Sequence, residues 1–154
     1  DTNYLYTNKP VLHKLNPHTL FSIFEQGDEE IYKEHNAEDV LNNPYVLIGM
    51  VVTGVDNFHL LDKMYLLKHQ EDYSRVRENV KLKYYNRLFR YLKRVEVKSV
   101  MDVYDIGLDY DIDASLECLN DMLYFYERLE MYEKCAIVMQ FTDLLYGKKL
   151  EAIL

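Results

Sequence analysis

Residues 113–146 read DASLECLNDMLYFYERLEMYEKCAIVMQFTDLLY and predict two helices joined by a short turn. In the first half, apolar residues recur at the three- and four-residue spacing of an amphipathic helix. Asp113 is placed to cap this helix, which we expect over residues 114–129, with the turn near Glu130. The residues expected to face inward are Leu116, Leu119, Met122, Leu123, Tyr126 and Leu129.

The second helix of this hairpin, Tyr132–Tyr146, is apolar around nearly its whole circumference. Gly147 follows it, and glycine is typical of the position after a helix C-terminus. A helix that is apolar all round is buried by neighbours or by a partner. We therefore expect a homodimer or a stable hetero-complex through this helix. The expected interface residues are Tyr132, Val138, Phe141 and Leu145.

The hairpin also carries a short motif. Leu116, Leu119, Met122 and Tyr126 are followed by Tyr132-Glu-Lys-Cys-Ala136, an aromatic-Glu-Lys-small-small start to the second helix. In these positions, residues 116–146 resemble a UVR-type helical hairpin and are similar to a single tetratricopeptide-like hairpin. The resemblance implies a protein–protein interaction hairpin with no catalysis of its own. An ordinary core hairpin fits the same residues.

Upstream of the hairpin, residues 74–97 predict a long helix with one apolar face and one basic face. Its apolar arc begins at Leu82 and recurs with helical spacing. On the other side, residues at i, i+4, i+7 and i+11 form a straight basic stripe, and two further arginines precede it in sequence. The stripe residues are Lys83, Arg87, Arg90 and Arg94, and the two arginines are Arg75 and Arg77.

The charge of the chain is distributed in blocks. Residues 75–98 carry nine Lys or Arg and only two Asp or Glu, whereas the whole chain has a net charge of −8. Three interpretations stay open: the stripe is solvated or pairs with the acidic segment 102–113, it binds an acidic protein, or it binds nucleic-acid phosphates. The net charge of −8 disfavours nucleic acid, because long-range repulsion slows the encounter.

Residues 45–52, YVLIGMVV, fit either a buried strand or a short buried helix. Pro44 suits the first position of a helix, and Gly54 suits the end of one, so we favour the helix. Asp56 is then placed to cap the helix that follows. A strand over 45–52 remains the alternative.

The rest of the chain completes an all-α expectation. Only 5 Gly and 3 Pro are present, and sheet-rich folds need many turn residues. We expect residues 1–19 to form an extended N-terminal arm. Residues 20–154 should form a single helical domain, a small bundle of five to seven helices with the hairpin at its C-terminus.

Motifs for chemistry are missing: the sequence has no phosphate loop, dinucleotide fingerprint, zinc-protease motif or paired CxxC. Asp109–Ser115 has the alternating acids of a calcium loop, but Ala114 and Asn120 stand where that loop needs Gly and a bidentate Glu. Asp56-x-x-His59 has the spacing of carboxylate and histidine metal ligands, but it occurs once. We expect no metal, no cofactor and no enzymatic activity, with a small enzyme that lacks a visible motif as one alternative.

Cys118 and Cys135 are too far apart along the expected hairpin for a disulfide, so we expect free buried thiols and a reducing, cytoplasmic setting. The 15 Tyr, with many Asn and Lys, are typical of an AT-rich genome such as that of a phage, which would place the protein in the host cytoplasm or the virion. No apolar run approaches the roughly 20 residues of a membrane span, and no signal peptide is visible. We expect a non-enzymatic accessory protein that binds another protein or itself, and the alternative is a nucleic-acid-associated regulator that uses the basic helix 75–98.

Overall fold

The computed structural model describes residues 43–105 and 111–154, which form four helices. No strand occurs among these residues, so the predicted all-α class is confirmed, and residues 45–52 are helical. The predicted count of five to seven helices is not matched. The arm expected at 1–19 and the helices expected before residue 43 lie outside the described residues. The helices are α1 (Pro44–Arg94), α2 (Val97–Asp105), α3 (Ile112–Arg128) and α4 (Tyr132–Ile153).

Helix α1 folds back on itself at Gln70. This residue has φ 34° and ψ −105°, outside the helical region, while the residues on both sides stay helical. Residues 44–69 form a first arm and residues 71–94 form a second arm. The arms run antiparallel, because the rings of Phe58 and Tyr84 lie 5.6 Å apart and those of Tyr65 and Tyr73 lie 5.7 Å apart.

The predicted helix end at Gly54 is wrong, and Asp56 does not cap a new helix, because the first arm continues through both residues. Gly54 serves the packing of the two arms instead. A Cβ atom at this position would lie 2.5 Å from Cδ2 of Leu88 on the second arm, well inside van der Waals contact. Glycine therefore lets the arms approach each other here, which outweighs its low helix propensity.

The observed helix starts agree with the sequence predictions in one case and differ in another. Asn43 caps α1 by accepting hydrogen bonds from the amides of Tyr45 and Val46, and Pro44 occupies the first helical position as predicted. Helix α3 is capped by Asp111 and not by Asp113, so its predicted start is two residues late.

The predicted end of α4 at Gly147 is also wrong, since the helix continues to Ile153. Bonds to α3 hold this extension in place. Nδ2 of Asn120 donates to the Tyr146 hydroxyl at 2.8 Å, and Nζ of Lys149 lies 2.7 Å from Oδ1 of Asp113.

Helices α3 and α4 form the hairpin predicted for residues 113–146. It turns at residues 129–131, where Glu130 has φ 59°. It packs against both arms of α1 and against α2. The shared core is rich in tyrosine, and its largest fully buried side chains include Tyr73, Tyr84, Tyr85 and Tyr126. Cys118 and Cys135 are buried and free, as predicted.

Helix α1 is long and apolar enough to cross a membrane by length and composition alone, which the expectation from apolar runs did not foresee. Nearly half of its apolar window is buried against the other helices. The residues that contribute include Leu47, Val51, Val55 and Phe58, all at most 1% exposed. These four residues belong to the hydrophobic core.

Candidate functional site

The predicted basic stripe lies along the outer surface of the second arm. The opposite side of this arm is buried, with Tyr84, Tyr85, Leu88 and Leu92 no more than 1% exposed. Tertiary packing thus orients the arm and leaves the long cationic side chains at the surface. Arg90 and Arg94 are exposed, while Lys83 and Arg87 are partly exposed.

Several cations on this arm have no counter-charge in the described part of the chain. Lys83, Arg90 and Arg94 form no ion pair with a carboxylate there, and neither does Lys93, which lies beside them. Arg87 is engaged differently: its Nε donates to the Tyr91 hydroxyl at 2.9 Å, and its guanidinium lies 5.9 Å from the centre of that ring.

Arg77 does not belong to this surface. Arg77 reaches into the α1 hairpin, where Nε and a terminal nitrogen donate to the two oxygens of buried Asp62 at 2.9 and 2.6 Å. These bonds raise the pKa of Arg77, and the Tyr73 hydroxyl also donates to Asp62, at 2.6 Å. Arg75 lies 3.9 Å from Asp72 and is mostly exposed. Arg77 therefore closes the hairpin near its bend.

A lysine from another helix extends the basic surface. Lys134, in the first turn of α4, donates to Oδ1 of Asn86 on the second arm at 2.6 Å. Asn86, Arg90 and Lys93 stand at i, i+4 and i+7, so they share one side of that arm. We call the combined surface the basic face; on the second arm it spans roughly 120° at 3.6 residues per turn. It consists of Lys83, Arg87, Arg90, Lys93, Arg94 and Lys134.

Three of the four predicted interface residues are part of the chain's own core. Val138, Phe141 and Leu145 are 0–2% exposed, because they pack inside the fold and are out of reach of a partner. Tyr132 is 64% exposed and stays available at the surface. The predicted interface is therefore corrected to exclude these three residues, and self-association remains a prediction.

A second polar cluster joins the α1 hairpin to α3. Nε2 of His59 lies 3.0 Å from Oδ2 of Asp121, and the Tyr85 hydroxyl donates a short hydrogen bond to the same oxygen. The ammonium of Lys81 lies 4.9 Å from the ring centre of Phe125 and 5.1 Å from that of Tyr85. Burial lowers the pKa of Lys81, while Asp121 acts in the opposite direction. Lys81 is thus drawn toward the core and away from the basic face.

This cluster contains no activated nucleophile. Burial, and next the bond to Asp121, raise the pKa of Tyr85 far above its ordinary value. Burial and the nearby Asp56 raise the pKa of Cys118 to about 12, so its thiol stays protonated near neutral pH. The ring of His59 contacts Asp121, which is not the carboxylate of the Asp56-x-x-His59 spacing. The arrangement ties helices together and does not prepare a side chain for attack.

Two further observations on the described residues concern metal coordination and cavities. No group of three or more His, Cys, Asp or Glu there could hold a metal ion. A cavity between the helices, lined by Ile48, Val52, Leu92 and Phe141 among others, has a volume of only about 10 Å³ and an apolar lining. A water molecule barely fits such a volume.

One further surface feature is an exposed apolar ridge on the first arm. Leu60, Met64 and Leu67 stand at i, i+4 and i+7, and they are 60%, 48% and 81% exposed. The wheel places them on one face, and the structure turns that face outward while Leu61 and Tyr65 pack against the core. Clustered apolar side chains at a surface are typical of interaction sites.

No protein-family model, curated protein sequence or solved structure matches this chain. The resemblance of residues 116–146 to UVR-type and tetratricopeptide-like hairpins therefore gains no support from these comparisons. Within the site, sequence reasoning missed the role of Lys134 and the diversion of Arg77. A residue from another helix joins a surface through tertiary contacts, which leave no periodic signal in the sequence.

Proposed function

We propose that the protein is a non-enzymatic binding protein that docks the acidic surface of another protein on its basic face. The observation that carries this proposal is the set of unpaired cations on the second arm. Lys83, Arg90, Lys93 and Arg94 form no ion pair within residues 43–105 and 111–154, in a chain whose net charge is −8.

Several carboxylates among the described residues pair with cations outside the basic face. Arg77 binds Asp62, Arg128 lies 3.0 Å from Glu78, and Lys149 lies 2.7 Å from Asp113. The central part of the acidic segment 102–113, onto which the stripe was predicted to close, lies outside the described residues. A local excess of positive charge attracts an acidic patch on a partner and accelerates association.

The net charge of the chain, and not the composition of the basic face, favours a protein partner over nucleic acid. Three of the six cations are arginines, and a planar guanidinium binds carboxylates and phosphates alike with two parallel hydrogen bonds. The face runs about 16 Å along the second arm from Lys83 to Arg94, at 1.5 Å per residue. The net charge of −8 repels a uniformly charged polyanion more than a protein with mixed surface charge.

The test compares a fluorescent Glu-rich peptide with a single-stranded oligonucleotide of equal charge, by fluorescence anisotropy over a range of salt concentrations. Reversing two exposed residues of the basic face, Arg90→Glu with Arg94→Glu, should abolish peptide binding. The melting temperature should hold within a few degrees, because exposed charges contribute only ~0–1 kcal/mol each to stability. The matched control, Lys63→Glu with Lys68→Glu on the first arm, makes the same change in net charge away from the face and should retain binding.

Three results would overturn the proposal. The first is a wild-type protein that does not bind the peptide, and the second is peptide binding that both double variants weaken equally. The third is tighter binding of the oligonucleotide, with a log–log salt slope of nearly one per neutralised phosphate. That third result would establish the alternative of a nucleic-acid-associated regulator.

A further inference from the structure

The ammonium group of Lys134 is fixed in place at the junction of α4 and the second arm. It donates to Oδ1 of Asn86 at 2.6 Å and lies 5.1 Å from the ring centre of Phe89 and 5.3 Å from that of Tyr126. The Tyr126 hydroxyl donates to the same Asn86 oxygen at 3.1 Å, which fixes the amide in turn. Three side chains from two other helices, Asn86 and Phe89 of α1 and Tyr126 of α3, therefore determine where this cation sits.

Arg90 and Lys93 bring two more positive charges to the same place. They lie one and two turns beyond Asn86 on the same side of the second arm. Neither pairs with a carboxylate in the part of the chain that the structure describes. Burial lowers the pKa of Lys134, and the charges of Arg90 and Lys93 lower it further. The three cations therefore repel one another, and the fold supplies no ion pair to offset the repulsion.

We propose that Arg90, Lys93 and Lys134 form an anion anchor within the basic face, which receives an oxyanion group of about two negative charges from the acidic partner. This inference rests on the proposed function and names the element of the partner that is recognised. Two neighbouring Asp or Glu side chains supply such a group, and so does one phosphorylated side chain.

Two physical arguments distinguish the anchor from the rest of the basic face. Lys134 is already ordered by its contacts, so binding loses little side-chain entropy there, whereas exposed Arg94 loses more. An anion placed among three like charges also offsets their mutual repulsion. The anchor should therefore contribute more to affinity per charge than the remainder of the face.

The test measures dissociation constants for three otherwise neutral peptides, which carry a Glu-Glu pair, one phosphoserine or a Gln-Gln pair. The Gln-Gln peptide should not bind. Lys134→Met keeps an apolar stem on Phe89 and Tyr126 while it removes the charge, and it should weaken binding of a charged peptide about tenfold or more, equivalent to 1.4 kcal/mol. Lys83→Met is the matched control on the same face and should weaken binding about threefold or less. The stronger of the two charged peptides identifies the source of the oxyanion.

A second readout uses the wild-type protein and needs no variant. The pKa of Lys134, followed by NMR of its side-chain nitrogen, should rise when a charged peptide binds, because an anion favours the protonated amine. An unchanged pKa, or equal losses for Lys134→Met and Lys83→Met, would overturn the anchor while the Glu-rich peptide still binds. If the wild-type protein binds neither that peptide nor the three probes, the proposed function itself fails.

Discussion

Replacing Gly54 with alanine tests whether the two arms of α1 pack as tightly as the structure shows. An alanine Cβ would lie 2.5 Å from Cδ2, 3.0 Å from Cδ1 and 3.3 Å from Cγ of Leu88. Favourable carbon contacts are about 3.5–4.0 Å long, so the nearest atom must move by about 1 Å. Leu88 is fully buried and has no solvent to move into. Gly54→Ala therefore introduces overpacking at the centre of the hairpin.

The expected change in the free energy of unfolding follows from a comparison with Gly147, where an added Cβ atom would have open space around it. Gly54 and Gly147 both lie inside helices, and a Cβ at Gly147 would meet nothing within 4 Å. Both alanine variants gain about 0.8–1 kcal/mol of helix propensity. Overpacking costs typically about 1–3 kcal/mol and applies only to Gly54. Gly147→Ala should be about 1–3 kcal/mol more stable than Gly54→Ala.

Urea unfolding followed by circular dichroism at the helical band measures this difference as a shift in midpoint at constant slope. A second comparison, in a Leu88→Ala background, shows where the penalty arises, because contacting residues couple and distant ones do not. In that background Gly54→Ala should lose its penalty and stabilise the protein. If Gly54→Ala stabilises the wild type as much as Gly147→Ala does, the close approach of the two arms at this point is refuted.

Further predictions concern three individual residues. Gln70→Gly should stabilise the protein by about 1 kcal/mol in thermal or urea unfolding, because its positive φ suits glycine, and Gln70→Ala should bring no such gain. Tyr73→Phe removes one hydrogen bond to the buried carboxylate of Asp62 and should destabilise the protein by about 1.5 kcal/mol in the same assay, whereas an unchanged midpoint would contradict that bond. The Cys118 thiol, whose pKa is raised to about 12, should resist iodoacetamide at mildly alkaline pH until denaturant is added, and fast labelling of the folded protein would refute its burial. Since this pKa lies above its ordinary value of 9.0, Cys118 contributes stability below pH 9 that is lost as the pH rises toward 12, so the unfolding midpoint should fall over that interval.

Local periodicity predicted the helices of this fold well. The apolar arc that begins at Leu82 gave the second arm and its basic side, and the repeats in 113–146 gave the C-terminal hairpin with its turn at Glu130. These signals are local, because a helix buries one stripe of its own sequence. The prediction that Pro44 begins a helix is also confirmed. Proline suits this position because the first amides of a helix have no intrahelical acceptor.

Tertiary contacts account for what the sequence could not show. Gly54 was predicted to end a helix because glycine is common at helix ends. The sequence does not show that Gly54 packs against Leu88. The bend at Gln70 was not predicted, because no glycine or proline lies at this point of the sequence. The apolar helix Tyr132–Tyr146 indicated a partner, yet the chain's own helices cover Val138 and its neighbours. Lys134 contacts the second arm through Asn86, which is 48 residues away in sequence, so helical periodicity could not indicate this contact.

The most direct test of the account is to map where an acidic peptide touches the protein. Amide and side-chain NMR signals of isotope-labelled protein are followed while the unlabelled Glu-rich peptide is added, with a Gln-rich peptide as the control. The account predicts that the shifting signals cluster on the basic face, with those of Lys134 and Arg90 among the largest, and that the Gln-rich peptide leaves them in place. Shifts confined to the apolar ridge of the first arm, or equal shifts with both peptides, would contradict it.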